Sequence, residues 1–147
     1  MSRISPTCCP AEAPPPFPAL MERGLIEREG KGWRLAWDGR RQPFSVLIGG
    51  EGWAVELTAA EAEGLQQAVA DLVAQHGALQ DQLMAEEAIA LELERAPWWL
   101  ELEGDRRRWS LRMLYTPGHG QRCFEGQWGP EAAPAFSQAL QQLHGQP

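Results

Sequence analysis

No apolar run in this sequence is long enough to cross a bilayer, which takes about 20 consecutive, predominantly apolar residues. The N-terminus carries Arg3 with no apolar segment behind it, so it does not read as a secretory signal. Cysteine is scarce: Cys8, Cys9 and Cys123 form an odd set without framework spacing. That excludes a disulfide scaffold and points to a reducing, cytoplasmic setting. Histidine is as sparse. His76, His119 and His144 lie far apart, so no Ser/His/Asp or Cys/His arrangement can be assembled, and Cys123 has no evident base. Positive charge is almost missing from the middle of the chain. Residues 51–104 hold one basic and twelve acidic side chains, a balance of −11. Residues 1–50 (seven basic, five acidic) and 105–147 (five basic, three acidic) each carry +2. The middle repels polyanions, and only the two ends could attract them.

What is present suits a single globular domain. A chain of 147 residues can bury a sizeable core, and 44% apolar with 22% charged residues is ordinary for a globular protein. Residues 1–20 are of different material, with Pro6, Pro10, Pro14, Pro15, Pro16 and Pro18. So many prolines remove the donors a helix or ladder needs, and there is little to bury. The segment reads as a disordered tail, or as lying upstream of a true start at Met21, ahead of one α+β domain over 21–147. The Cys8-Cys9 pair has no partner at ligand spacing, so no metal is expected there.

After Met21 the period of two dominates. Trp33, Leu35 and Trp37 alternate with polar or small residues, as do Phe44, Val46 and Ile48, then Trp53, Val55 and Leu57. The links are too short for parallel crossovers, so an antiparallel meander is expected. The period then lengthens. Leu65, Val69, Leu72, Val73, His76, Leu79 and Leu83 make one helical stripe. Thr58 and Glu61 supply a capping box for a helix from about Ala59 into the 80s, with a bend at Gly77. Strands resume at Ile89–Glu94, Trp98–Glu103, Trp109–Tyr115 and around Phe124 and Trp128. Gly129-Pro130 opens a last helix with proline at its first position. Leu140, Leu143 and Phe136 lie on its stripe.

The halves echo each other. Glu51-Gly52-Trp53 and a later Gln66-Gln67 find counterparts in Glu125-Gly126-Gln127-Trp128 and Gln141-Gln142. These residues, with Arg28–Trp37, Leu47–Thr58 and Leu83–Glu87, resemble the motifs of a cyanobacterial domain-of-unknown-function family (number 1818), over roughly Glu22 to Leu143. Members of that family typically begin near Met21. The resemblance implies a fold similar to the Whirly-type single-stranded-DNA-binding transcriptional regulators: a curved antiparallel sheet in two ββββα halves, with one long central helix and one C-terminal helix. It implies no activity and no catalytic residues.

Several groups of residues invite a chemical reading. Gly49-Gly50-Glu51-Gly52 follows an apolar run, as a phosphate cradle would. A P-loop needs Lys and Ser/Thr after the glycines, whereas here Trp53 and a strand follow, and Glu51 adds a negative charge. A hairpin turn accounts for the glycines better. Seven tryptophans could stack on unpaired bases at about 1–3 kcal/mol each. Six of them fall on the apolar face of their strands, and only Trp99 falls among polar residues, so core packing explains the set. Arg106, Arg107 and Arg108, with Arg112, Arg122 and Trp99, are the candidate nucleic-acid-binding residues. Across the Gly104-Asp105 turn, Arg106 or Arg108 is expected opposite Glu101 or Glu103, which neutralises much of that patch. Glu86, Glu87, Glu92 and Glu94 could hold a divalent ion for a metal-assisted enzyme. They lack a nearby His or nucleophile and read instead as a solvated acidic face.

The expectation is a non-enzymatic module that binds a protein partner or self-associates through sheet edges or the long helix, without cofactor, metal or membrane. Nucleic acid is the alternative partner, disfavoured by charge.

Overall fold

A computed structural model describes residues 24–82 and 87–143. The proline-rich segment, Met21, Cys8, Cys9, Leu83, Glu86 and His144 lie outside the described residues. The order is β1 (Leu25–Gly30), β2 (Trp33–Asp38), β3 (Val46–Gly50), β4 (Trp53–Leu57), α1 (Ala59–Gln80), β5 (Ile89–Arg95), β6 (Trp98–Gly104), β7 (Trp109–Tyr115), β8 (Phe124–Trp128) and α2 (Ala132–Gln141). This is the expected α+β class in two ββββα halves. The strands form two antiparallel four-stranded meanders, ordered β1-β2-β3-β4 and β5-β6-β7-β8. β1 is the strand that periodicity alone did not mark. Of its six residues Ile26 is the one that is buried, so no alternating run announces it.

Local chemistry explains the turns. Gly32 and Gly52 adopt φ +83° and +84° as second residues of two-residue hairpin links, which favour a positive φ that glycine supplies without cost. The helix start follows the capping box: the Glu61 N–H donates to Thr58 Oγ1 at 3.1 Å, and the Thr58 N–H donates to Glu61 Oε1 at 2.9 Å. The stripe of α1 is buried at Leu65, Val69, Leu72 and His76, but it ends earlier than the spacing indicated. Leu79 is exposed while Gln80 is buried. The helix continues through Gly77 to Gln80. α2 is regular from Ala132, two residues later than proline at the first position implied. Pro130 still sits in the entering turn, because the Ala133 N–H reaches the Gly129 carbonyl at 2.8 Å, a helical bond.

Each helix covers the sheet of the other half. α1 packs chiefly on β5 and β6, and α2 on β1 and β2 as well as β7. The echoed residues meet one another. Gln66 Nε2 donates to the Leu140 carbonyl at 2.8 Å, and Gln141 Nε2 donates to the Gln66 carbonyl at 3.1 Å. The Trp53 and Trp128 rings lie 5.2 Å apart, and Trp128 stacks on Phe136 at 4.1 Å. Glu61, already a cap, accepts from the Tyr115 hydroxyl at 2.7 Å. Burial, and then that bond, push the Tyr115 phenol up to about 12. One core results, with Leu35, Ile48, Leu65, Leu100, Leu111 and Trp128 all buried.

Candidate interaction surfaces

The glycine stretch resolves into seats for indoles. Glu51-Gly52 is the β3–β4 turn, with Gly50 opposite Trp53. A side chain at Gly50 would collide with the Trp53 ring, and one at Gly126 would place Cβ 2.6 Å from it. Trp53 Nε1 donates to the Gln127 carbonyl at 3.3 Å, and Trp128 Nε1 to the Gly49 carbonyl at 2.9 Å. Gly50 and Gly126 therefore make room for the Trp53 indole, and Trp53 and Trp128 both bond across the seam between halves. The same turn recurs at Gly30-Lys31-Gly32-Trp33, where the Trp33 ring occupies the space beside Gly30. An open groove of about 790 Å³ lies along this seam, lined by Lys31, Glu51, Trp53, Arg108, Glu125 and Glu131 among others. Its charges are mixed, and Arg108 and Glu131 neutralise each other at 3.2 Å. Among the described residues no group of three His, Cys, Asp or Glu could hold a metal ion.

The arginine run forms the β6–β7 loop rather than strand positions, which corrects the expected pairing. The Asp105 N–H donates to the Arg108 carbonyl at 3.0 Å and closes the loop. The Asp105 carboxylate accepts the N–H groups of Arg108 at 2.8 Å and Arg107 at 2.9 Å. Those bonds, Arg108 first, hold Asp105 below its usual range. The register then sets Glu101 opposite Arg112 and Glu103 opposite Ser110. Arg112 lies 3.4 Å from Glu101 and covers the Trp99 ring at 5.1 Å. Arg106 donates to the Gln80 carbonyl at 3.1 Å and stands 3.5 Å from Asp81. Arg107 and Arg122 are exposed, with no ion pair among the described residues. The six candidates thus do not converge on one surface: Trp99 and Arg112 lie on the outer face of the second sheet, Arg106 turns to the end of α1, and Arg108 turns to α2.

Two of the acidic candidates, Glu92 and Glu94, share one exposed face of β5. Glu92 faces Glu101 and Glu94 faces Trp99 across β5–β6. His76 is buried, with Nε2 3.0 Å from the Gly104 carbonyl. His119 and Cys123 are exposed.

The outer face of the first sheet offers a different surface, which the sequence analysis missed. Phe44 was expected to alternate inward with Val46 and Ile48. The strand begins at Val46, and Phe44 lies in the preceding connection, 47% exposed. Beside it is a groove of about 390 Å³ floored by Leu25, Ala36 and Leu47. Ser45 also lines it; this side chain is 5% exposed, and its hydroxyl has no hydrogen-bond partner among the described residues. The rim charges are paired. Arg40 binds Asp38 through Nε at 3.0 Å and Nη2 at 3.3 Å, and the Arg40 side-chain bond is the main cause that lowers Asp38. Arg41 meets Glu56 at 2.7 Å. A break in the alternation at Pro43, ahead of Phe44, is the signal that could have located this surface.

No curated protein matches the chain. A crystal structure of a protein of unknown function from Prochlorococcus sp. NATL2A, described as from the DUF155 family, is 39% identical with a TM-score of 0.74. The alignment covers 81% of this chain and 98% of that one. Residues 28–143 match the family described as Domain of unknown function (DUF1818). That span takes in every strand except the first half of β1, both helices and both indole seats, and the chain belongs to this family.

Proposed function

We propose that this protein is a non-enzymatic interaction module that binds another protein or a second copy of itself. The observation that carries this reading is the outer face of the first sheet. Phe44 stands exposed beside a groove floored by Leu25, Ala36 and Leu47. An occupant that covers Phe44 takes its ring out of water. The rim arginines are already neutralised by Asp38 and Glu56, which favours an uncharged, apolar occupant over a polyanion. A cytoplasmic setting belongs to the same reading and rests on the cysteine usage.

The single-stranded nucleic-acid reading rests only on the Whirly-type fold that the sequence resemblance implies, and fold likeness is a weak ground for function. Three of its five arginines have carboxylates within ion-pair distance, and its one aromatic is covered by Arg112. The enzyme reading would rest on Glu92 and Glu94, which share β5 with Glu101 opposite, and no histidine lies on β5 or β6.

Phe44→Glu tests the proposal. The unaltered protein is expected to form a defined oligomer or a stoichiometric complex, measured by light scattering and by co-purification from its native cell. The variant should weaken that association while keeping its melting temperature within about 2 °C. A monomer without a binder that Phe44→Glu disrupts would contradict the proposal.

A further inference from the structure

We infer that the pocket between the start of α1 and the β5–β6 turn binds a proline-bearing peptide segment of a partner protein, one of whose carbonyls accepts a hydrogen bond from the Trp98 indole. The site shares no lining residue with the groove beside Phe44, so it adds a second surface to the interaction reading and does not depend on the first. The pocket holds about 260 Å³. α1 contributes Ala60 and Gly64 to its lining, and the turn contributes Ala96 and Pro97. Trp98 completes it, 2% exposed, with the Tyr115 ring at 4.6 Å and the Phe124 ring at 6.0 Å. The Trp53 and Trp128 indoles each donate to a carbonyl, whereas the Trp98 N–H has no acceptor among the described residues. Nor is it sealed in the core: among the described residues, the enclosed polar atoms without a partner are Ser45 Oγ and Gln80 Oε1. Its edge faces Gly64, where a Cβ would sit 3.4 Å from Nε1 and 3.5 Å from Cδ1.

Those are ordinary contact distances, so alanine would fit at 64, and inside a helix alanine is favoured over glycine. Glycine there keeps the indole N–H uncovered at a cost to the helix. A donor held out of water without an acceptor is unfavourable, and an occupant with an acceptor relieves it. The surroundings narrow the chemistry of that occupant. Arg95 at the rim is paired with Asp71 at 2.7 Å, and Glu61 adds a carboxylate to the lining, so the charges do not draw an anion. The acceptors around the pocket are engaged. Glu61 Oε1 takes the Thr58 N–H, Glu61 Oε2 takes the Tyr115 hydroxyl, and the Pro97 carbonyl takes the Thr116 N–H at 2.9 Å. An uncharged ligand that brings an acceptor and no donor fits such a site. Among peptide groups that is the amide preceding proline, which has a carbonyl and no N–H. The proline ring suits the apolar walls, and proline-rich segments lose little entropy on docking beside aromatic rings.

The test follows the indole N–H signals of the full-length chain by NMR with isotope-labelled tryptophan. The Trp98 signal is assigned by its loss in Trp98→Phe. Adding an acetylated octaproline amide should move the Trp98 indole proton downfield, as a gained acceptor requires, while the Trp53 and Trp128 signals stay in place. A glycine–serine peptide of the same length should move none of them. Gly64→Ala should weaken octaproline binding about tenfold without lowering the melting temperature, and Phe44→Glu should bind it as the unaltered chain does. A Trp98 signal unmoved by millimolar octaproline, or moved equally in Gly64→Ala, would overturn the inference and leave the Phe44 reading untouched. So would a Trp98 signal that Pro14→Ser, Pro15→Ser and Pro16→Ser together shift with no peptide added, because the chain's own proline segment would then be the occupant.

Discussion

The two halves share an order of elements and differ in how they finish it. In the first half two of the three links, β1–β2 and β3–β4, are two residues long, each with a left-handed glycine. Its helix has 22 residues and a full capping box. In the second half the β6–β7 link is a four-residue basic loop ordered by Asp105. Its helix has 10 residues and no side-chain cap. The shorter helix depends on what surrounds it: the β1–β2 surface, the Phe136–Trp128 stack and the Gln66–Gln141 exchange. The first half therefore carries the stronger local signals, and each half is completed by the helix of the other. The difference teaches that the echoed residues serve the join between halves, since Trp53 and Trp128, and Gln66 and Gln141, are used on each other.

Substitutions can break this comparison in graded steps. Trp128→Ala should have the largest effect. It removes a fully buried ring stacked on Phe136 together with a cross-seam hydrogen bond, at about 3–5 kcal/mol, read as a fall in the denaturant midpoint. Trp53→Ala should cost less, because Trp53 is half-buried and its bond is longer.

Gly104→Ala comes next. Gly104 has φ +152°, and a Cβ there would run into the Arg108 carbonyl and the Trp109 backbone. The conformation alone is worth about 1–3 kcal/mol, and the collision adds to it. Gly52→Ala should cost only about 1–2 kcal/mol, because nothing lies within 4 Å of its Cβ. Equal losses at the two positions would mean that the basic loop yields as readily as the tight turn.

The caps differ by less. Thr58→Ala should lose about 1 kcal/mol in chemical denaturation. Glu131→Ala should lose under about 1 kcal/mol, since Glu131 makes an exposed pair with Arg108 and no capping bond. The smallest effect concerns pH. The Asp105 carboxyl is lowered by the N–H groups it accepts, so its contribution is present above its unfolded pKa and is lost as pH falls through the lower folded value. Asp105→Asn keeps an acceptor but cannot titrate. Its melting temperature should therefore fall less steeply below about pH 4 than that of the unaltered protein.

Much of this fold is legible in the residues. Trp33, Leu35 and Trp37 or Trp109, Leu111 and Met113 face a core at every second position, and Thr58 with Glu61 marks the helix start. What escaped are features that depend on distant partners. β1 has little periodicity because it is an edge strand that buries Ile26 alone. Phe44 keeps the parity of β3 without belonging to it. The arginine pairings turned on loop length, which shifts every cross-strand neighbour: four loop residues put Arg112 opposite Glu101 and send Arg108 to Glu131. The candidate surface at Ser45 is a matter of exposure, which no spacing encodes.

Scanning calorimetry of the unaltered chain tests most directly whether the halves are one cooperative unit. The interlocked helices predict a single transition, with calorimetric and van't Hoff enthalpies equal and a midpoint that Trp128→Ala shifts as a whole. Two resolved transitions, one of them unmoved by Trp128→Ala, would contradict the account.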